Sequence, residues 1–450
     1  MICINQGLDS KICRQAPSII IEDLKLQKIF HTLFGSFFIL LLLSVPVGHA
    51  IGISGLLSFL LCTDYSPMVF IKSSLSGTDS FTLLAVPFFM LAGNLMATGG
   101  IAKRIVNFAD SLLGWMTGGL SIVTTIACMF FGAVSGSAVA TTSAIGSFMI
   151  PEMEKKGYDK DFSAALAAAA GSVGVIIPPS VPLVIYGVAV NASVKDLFTA
   201  GILPGIMMGI AMIIVCVITS KKHGWKGDAK RPELKKVWKA FREGFWALLM
   251  PVIILGGIYK GIFTPTEASV VSVVYCIFVS MFVYKEMDLK GLYKGFLGIV
   301  NLCGITLFMM GFANAFSYFL TIEQIPNRLT ELFLGISHNK FVILLMINIL
   351  LLIVGCVIDN IPATIILAPI LLPVVEAIGM SPITFGVMLT MNLAIGFITP
   401  PYGINLFMAT AVSGVPMDAM MKRIGGLLVS LLVVLMLITY VPWFTMGFLG

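Results

Sequence analysis

Two positions in this chain forbid an uninterrupted helix where its surroundings demand one. Pro178-Pro179 and Pro400-Pro401 sit inside apolar stretches at residues 163–190 and 385–412. Proline lacks the N–H donor and clashes with the preceding turn, and nearby glycines tolerate backbone angles that other residues avoid. Hydrophobic residues make up 58% of the 450 residues and charged residues only 11%, too few charges for a water-facing surface. The chain therefore reads as an all-α polytopic membrane protein. Broken backbone at membrane depth is tolerable only when buried in protein or lining a cavity.

The apolar stretches at residues 30–61, 118–134, 163–190, 197–220, 246–259, 268–284, 301–320, 341–357, 385–412 and 424–443 are long enough to cross a bilayer. Residues 135–150 and 358–375 are too interrupted and read as re-entrant hairpins. The expectation is ten to twelve crossings plus two hairpins. Residues 1–28 read as a short polar tail and not as a signal peptide, because no basic start leads directly into an apolar core. The eight cysteines include no C-x-x-C pair, and most lie in apolar runs, so they read as small buried hydrophobes. Nothing in the net charge of +6 resembles a nucleic-acid-binding face.

The two breaks belong to an internal repeat. Pro178-Pro179 recurs as Pro400-Pro401 at an offset of 222 residues. At that offset, without gaps, Thr142 matches Thr364, Pro151 matches Pro373, Gly174 matches Gly396, and Asp196 matches Asp418. Paired Gly/Pro-interrupted segments are the expected mark of a transporter built from repeats. The first repeat covers residues 29–220, with a hairpin at about 135–150 and a broken helix at 163–190. The second covers 246–450, with a hairpin at about 358–375 and a broken helix at 383–412.

Charge separates the copies. The connector at 152–161 carries Lys155, Lys156 and Lys160, whereas its counterpart at 374–383 has no basic residue and one acid, Glu376. Basic connectors stay cytoplasmic, so the repeats read as inverted. Between them, residues 221–245 form a basic arm. Nine Lys/Arg face two acids over 221–242, with Leu234, Val237, Trp238 and Phe241 at helical spacing. This is an amphipathic cytoplasmic helix lying at the membrane surface.

Freed carbonyls and hydroxyls at the breaks suit a hard cation, and the following half-helices present positive dipole ends to an anion; a plain kink remains the simpler reading. The hairpin tips supply the other wall. Residues 135–143 are dense in hydroxyls and small residues, which would also serve close helix contact. The second tip places Asp359 and Asn360 in an apolar region, where an acid is a functional candidate or a helix cap. No Lys or Arg occurs between Arg104 and Lys155, or between Lys340 and Lys422. An anionic cargo would then need bound cations and helix ends to balance its charge. Thr264-Pro-Thr-Glu267 reads as a capping box.

The strings GSVGVIIPPSVPLVIYGV (171–188), LFTAGILPGIMMG (197–209), GIFTPTEAS (261–269), SFTLLAVPFFMLAGNLM (80–96) and IGFITPPYGINL (395–406) resemble the large membrane (M) subunit of tripartite ATP-independent periplasmic (TRAP) transporters, within the ion transporter superfamily. The likeness runs from about residue 30 onward. It implies a bacterial inner-membrane secondary transporter with scaffold and mobile domains, an elevator motion and Na⁺ as coupling ion, with no cofactor and no enzymatic activity. It also implies two partners, a small four-helix membrane subunit on a separate chain and a periplasmic substrate-binding protein. The cargo would be an organic acid of the C4-dicarboxylate or sialic acid type. Carried over by position, one cation site would fall at Ser135, Ser137 and the Gly174–Pro178 backbone, and the other at Asp359, Asn360, Gly396 and Thr399. The substrate would lie near Thr142, Ser180, Tyr186 and Asn405. Some relatives carry an acid where this chain has Thr141. The alternatives are an ion channel or a Na⁺/anion symporter outside the family that works without partner subunits; an intramembrane hydrolase is disfavoured by the lack of G-x-S-x-G, H-E-x-x-H or a second catalytic acid.

Overall fold

A computed structural model describes residues 28–29, 31–227 and 233–449. The tail residues 1–27 and the arm residues Asp228, Lys230 and Arg231 lie outside the described residues. The described chain is helical, with no strand among those residues. Among the described residues, seven helices are long and apolar enough to cross a membrane, by length and composition. One of them, Phe81–Thr98, appears in the sequence reading only as a motif string and not among the spans.

The chain divides into two compact units. The smaller contains α1 (His31–Leu42), α2 (Val47–Cys62) and α3 (Pro67–Ser76), with residues 305–322 of the long helix α13 (Leu289–Ile322) and the two residues that follow it. Aromatic rings fill this unit. Phe59 stands 5.9 Å from Phe70 and 6.1 Å from Phe319, and His49 lies 4.9 Å from Phe308.

The larger unit holds everything else. Its helices are α4 (Phe81–Thr98), α5 (Ile101–Leu113), α6 (Gly119–Ser135), α7 (Ala138–Lys155), α8 (Lys160–Val173), α9 (Val181–Ala189) and α10 (Val194–His223). These are followed by α11 (Leu234–Tyr259), α12 (Pro265–Val283) and the start of α13. After α13 come α14 (Ile325–Ile336), α15 (Lys340–Gly355), α16 (Asn360–Ala377), α17 (Pro382–Gly396), α18 (Ile404–Ser413), α19 (Met417–Tyr440) and α20 (Trp443–Met446). Side chains at the helix starts fix the boundaries. Ser137, Ser180, Ser193, Asp359 and Ser381 each accept a backbone N–H as N-cap, satisfying donors that no turn precedes. The capping box is present as well. Glu267 N donates to Thr264 Oγ1 at 3.2 Å, and Thr264 N donates to Glu267 Oε2 at 2.8 Å.

The sequence repeat is visible helix by helix. Residues 138–155 of α7 map at offset 222 onto residues 360–377 of α16, and α8 maps onto α17, α9 onto α18 and α10 onto α19. Contacts obey the same exchange. Helix α7 packs on α18 while α9 packs on α16, and α8 packs on α19 while α10 packs on α17. The equivalent helices α10 and α19 also touch each other. His223 near the end of α10 meets Arg423 near the start of α19 (3.5 Å), and the spacing at Gly426 brings α19 against Val215. As α10 runs back, α19 runs forward. Equivalent helices are antiparallel, so the copies are inverted.

Helices α8 and α17 lie at the centre. Residues 162–173 of α8 and 384–396 of α17 are buried on every face, as an all-round apolar helix requires. The hairpin turns fall at different places than the hydropathy pattern suggests. Residues 118–134, read as a separate span, form the outgoing arm α6; the turn lies at Gly136-Ser137, and 138–155 is the returning arm. The second hairpin likewise comprises α15 and α16 around residues 356–359. Residues 221–223 of the basic arm end α10, whereas residues 234–245 and the span after them, divided in the sequence at 245, form one helix, α11. On α11, Phe241 meets Phe108 of α5 at 5.8 Å, while Leu234 and Trp238 stay exposed.

Candidate functional site

Glycine governs how closely the hairpin tips approach the breaks. Gly136 has φ +59°, a left-handed turn that side-chain-bearing residues rarely adopt. A Cβ there would lie 2.9 Å from Val181 N and 3.2 Å from Pro179 O, so the first tip is pressed against the first break. Gly132 of α6 meets Gly174 at the end of α8, where a Cβ on Gly132 would lie 2.1 Å from the Gly174 Cα. The second repeat repeats this contact. A Cβ on Gly396 would stand 2.3 Å from the Gly355 carbonyl carbon. Both breaks are thus seated backbone-to-backbone on the outgoing arm of their own hairpin. The Pro178-Pro179 and Pro400-Pro401 bonds are both cis.

At the first tip, oxygens gather. Ser135 Oγ lies 3.1 Å from Thr141 Oγ1, and the Thr141 hydroxyl donates to the Ser137 carbonyl at 2.7 Å. Ser137 N donates to Ser135 Oγ at 3.4 Å, and Ser137 Oγ accepts from Ala140 N at 3.3 Å. Gly174 closes over this cluster, its Cβ position 3.2 Å from Thr141 Oγ1. Of the first expected cation set, the structure brings together Ser135, Ser137 and Gly174. The Pro178 ring lies beside Gly201 of α10. Thr141, outside the expected set, joins the cluster.

At the second tip, Asp359 caps α16 by accepting from Asn360 N at 2.8 Å, and its side chain is exposed. Asn360 Oδ1 accepts from Thr364 Oγ1 at 2.9 Å, while its Nδ2 is buried without a partner. Thr399 Oγ1 donates to the Ile395 carbonyl at 2.8 Å within the second break. Gly396 sits on Gly355, four residues before Asp359.

Both tips and both breaks open onto one cavity of about 370 Å³. Ser137, Ser143, Asp359 and Asn360 are its polar side chains, and Val175, Val181 and Phe397 come from the breaks and the half-helix that follows the first. Its floor joins the two repeats directly, since Ala138, Val175 and Phe397 form one buried cluster with Ile404 against it. Among the described residues, no Lys, Arg or His lines this cavity. Helix starts direct their positive dipole ends at it, because the first residues of α7, α9 and α16 all border it.

The four residues assigned to substrate are placed differently. Thr142, Ser180, Tyr186 and Asn405 are all fully buried, and none borders the cavity. Tyr186 OH donates to the Pro382 carbonyl at 2.7 Å, tying α9 to the start of α17. Asn405 Nδ2 donates to the Ala168 carbonyl (3.1 Å) and to Ser172 Oγ (3.0 Å), and its Oδ1 has no partner. Ser180 caps α9, and Thr142 Oγ1 donates to the Ala167 carbonyl at 3.4 Å. In this structure Tyr186, Asn405 and Thr142 tie helices together, and Ser180 caps its own helix. Ser143, Phe397 and Met408, which do border the cavity, went unselected. Ser143 lay in the hydroxyl-dense string, but Phe397 and Met408 carry no sequence signal that separates them from core residues.

Residues 34–444 match the family described as the tripartite ATP-independent periplasmic transporter, DctM component. The chain is 42% identical over 418 residues to an isethionate TRAP transporter permease protein DctMQ of Oleidesulfovibrio alaskensis, covering 93% of this chain and 66% of that protein. It is 41% identical to a sialic acid TRAP transporter large permease protein, SiaM, of Vibrio cholerae, covering 90% of this chain and 95% of the relative. A C4-dicarboxylate TRAP transporter large permease protein, DctM, of Pseudomonas aeruginosa is 39% identical, with 87% and 92% covered. Among solved structures, the YdaH transporter of Alcanivorax borkumensis superposes with a TM-score of 0.63 at 15% identity, covering 84% of this chain and 88% of that one, a likeness of fold.

Proposed function

Since the chain belongs to the family of TRAP transporter DctM components, we propose that it is the large permease subunit of a secondary transporter in the bacterial inner membrane. It takes up an organic acid anion in symport with Na⁺ and performs no enzymatic chemistry. Its partners are a small four-helix membrane subunit and a periplasmic protein that delivers the cargo. Relatives named for C4-dicarboxylates, sialic acid and isethionate favour an acid as cargo.

The observation that carries this reading is the single cavity where two inverted hairpin tips meet two helix breaks, with one exposed carboxylate and no basic side chain. An anion entering beside Asp359 meets repulsion of the order of a few kcal/mol at about 4 Å in a partly screened site. Cations must offset it. The Ser135–Ser137–Thr141–Gly174 cluster offers hard oxygen donors for one Na⁺, and Asp359, Asn360, Gly396 and Thr399 for another. Helix starts contribute the remaining positive potential. Loading of cation and anion is thereby mutually dependent, which is the requirement for coupling. The two-fold exchange of contacts gives each half an equivalent in the other orientation, an arrangement that supports alternating access, here by an elevator motion.

The test is reconstitution with the two partners in liposomes. Cargo should accumulate only when Na⁺ is higher outside. Accumulation driven by ATP without an ion gradient, or unitary currents in place of saturable uptake, would overturn the proposal.

A further inference from the structure

The lining of the cavity narrows the cargo beyond the proposed function, and this step rests on that reading of the site. Apart from Ser137, Ser143, Asp359 and Asn360, the side chains bordering the cavity are apolar, among them Met90, Val139, Leu302, Ile361, Phe397 and Met408. The polar members are already engaged in part. Ser137 Oγ caps α7, Asp359 caps α16, and Asn360 Oδ1 accepts from Thr364. Those contacts use acceptor atoms, so the side-chain donors left to hold a ligand are the Ser137 and Ser143 hydroxyls and Asn360 Nδ2, enough for one anionic end but not for a polyhydroxylated body.

Two cargo chemistries fit this lining poorly. A polyhydroxylated sugar acid would bring many hydroxyls into contact with methionine, valine, leucine and phenylalanine, and each hydroxyl left without a partner is costly. A dicarboxylate would bring a second negative charge into a cavity that contains a carboxylate and no basic side chain. Each extra charge would demand another bound cation. A cargo with one anionic end and an apolar body meets both conditions. We infer that the cavity is built for a monoanionic organic acid with an apolar body, its charged end at the Ser137–Asp359–Asn360 side and its hydrocarbon against residues such as Met90, Leu302, Phe397 and Met408.

The experiment measures binding by calorimetry to the full-length chain, in the membrane complex in which it purifies, embedded in lipid nanodiscs. The probes are acetate, butyrate, hexanoate, succinate and N-acetylneuraminate, each in Na⁺ and in K⁺ buffer. Affinity should tighten about fourfold for each methylene from acetate to hexanoate, as hydrocarbon leaves water. Succinate, which has the chain length of butyrate and a second carboxylate, should bind more weakly than butyrate by about tenfold or more. Met408→Gln should weaken hexanoate several-fold and leave acetate unchanged. Affinity independent of chain length, tighter binding of succinate or N-acetylneuraminate than of hexanoate, equal losses for both acids in Met408→Gln, or no binding of any probe would each overturn the inference. The cation arms separate it from the broader reading. Preference for succinate or N-acetylneuraminate that still requires Na⁺ leaves Na⁺ coupling standing and removes the apolar cargo. A chain-length series of equal strength in Na⁺ and K⁺ supports the apolar cargo and removes the coupling.

Discussion

Replacing Gly396 by alanine probes the geometry on which the site depends. The added Cβ would stand 2.3 Å from the carbonyl carbon, 2.5 Å from the oxygen and 2.6 Å from the Cα of Gly355. All three are backbone atoms, so no side-chain rotation relieves the overlap. Ordinary carbon contact begins near 3.5 Å, and the second break must therefore move from α15 by about 1 Å. Overpacking of this kind costs about 1–3 kcal/mol. If that cost falls on the arrangement that brings Phe397 and Asp359 to one cavity, Na⁺-driven uptake should drop about 5- to 150-fold. Gly425→Ala provides the internal control. It lies within α19, and nothing stands within 4 Å of its Cβ position, so the substitution should be neutral or stabilising by up to about 1 kcal/mol. Both variants would be compared by thermal melting of the detergent-purified protein and by uptake in liposomes. Gly396→Ala with wild-type uptake and melting would refute the close seating of the break on α15 as a functional requirement.

The remaining predictions use the same two assays. Gly132→Ala, whose Cβ would fall 2.1 Å from Gly174 Cα, should match Gly396→Ala in effect because it disturbs the equivalent contact in the other repeat. Asp359→Asn keeps a side-chain oxygen able to cap α16 and removes the only charge in the cavity; the Na⁺ concentration for half-maximal uptake should rise about tenfold or more with melting little changed, and an unaltered Na⁺ dependence would remove Asp359 from the cation site. Tyr186→Phe deletes the 2.7 Å hydrogen bond to the Pro382 carbonyl and should cost about 1 kcal/mol of stability without changing cargo affinity; a large rise in KM at unchanged melting would return Tyr186 to the substrate site. Thr264→Ala breaks the capping box and should lower stability by about 1 kcal/mol, with uptake per folded molecule retained.

The limits of sequence reading show best at the hairpins. Hydropathy and length identified 118–134 and 341–357 as apolar stretches, yet a span and a hairpin arm have the same composition. Whether the chain turns after residue 135 depends on the neighbour at Gly174, far along the sequence, and on how closely Gly132 lets it approach. The glycine contact in the second repeat was hidden for a related reason. Gly132 at offset 222 falls on Val354, one residue before Gly355, because the two tips differ in length. The family resemblance alone points to Tyr186 and Asn405 as substrate residues, but their side chains reach across to Pro382, Ala168 and Ser172.

What the residues determined unaided is whatever depends on local chemistry. The scarcity of charge requires a membrane, paired prolines break helices in any context, lysines mark a connector's side, and serine, threonine or aspartate caps the helix that follows. Those rules recovered the membrane class, the repeat, its inversion and the helix breaks. Only the assembled fold decided which side chains face the cavity and which bind neighbouring helices. That choice is made by contacts between segments some two hundred residues apart, such as Asn405 with Ala168, and no local preference of the chain encodes them.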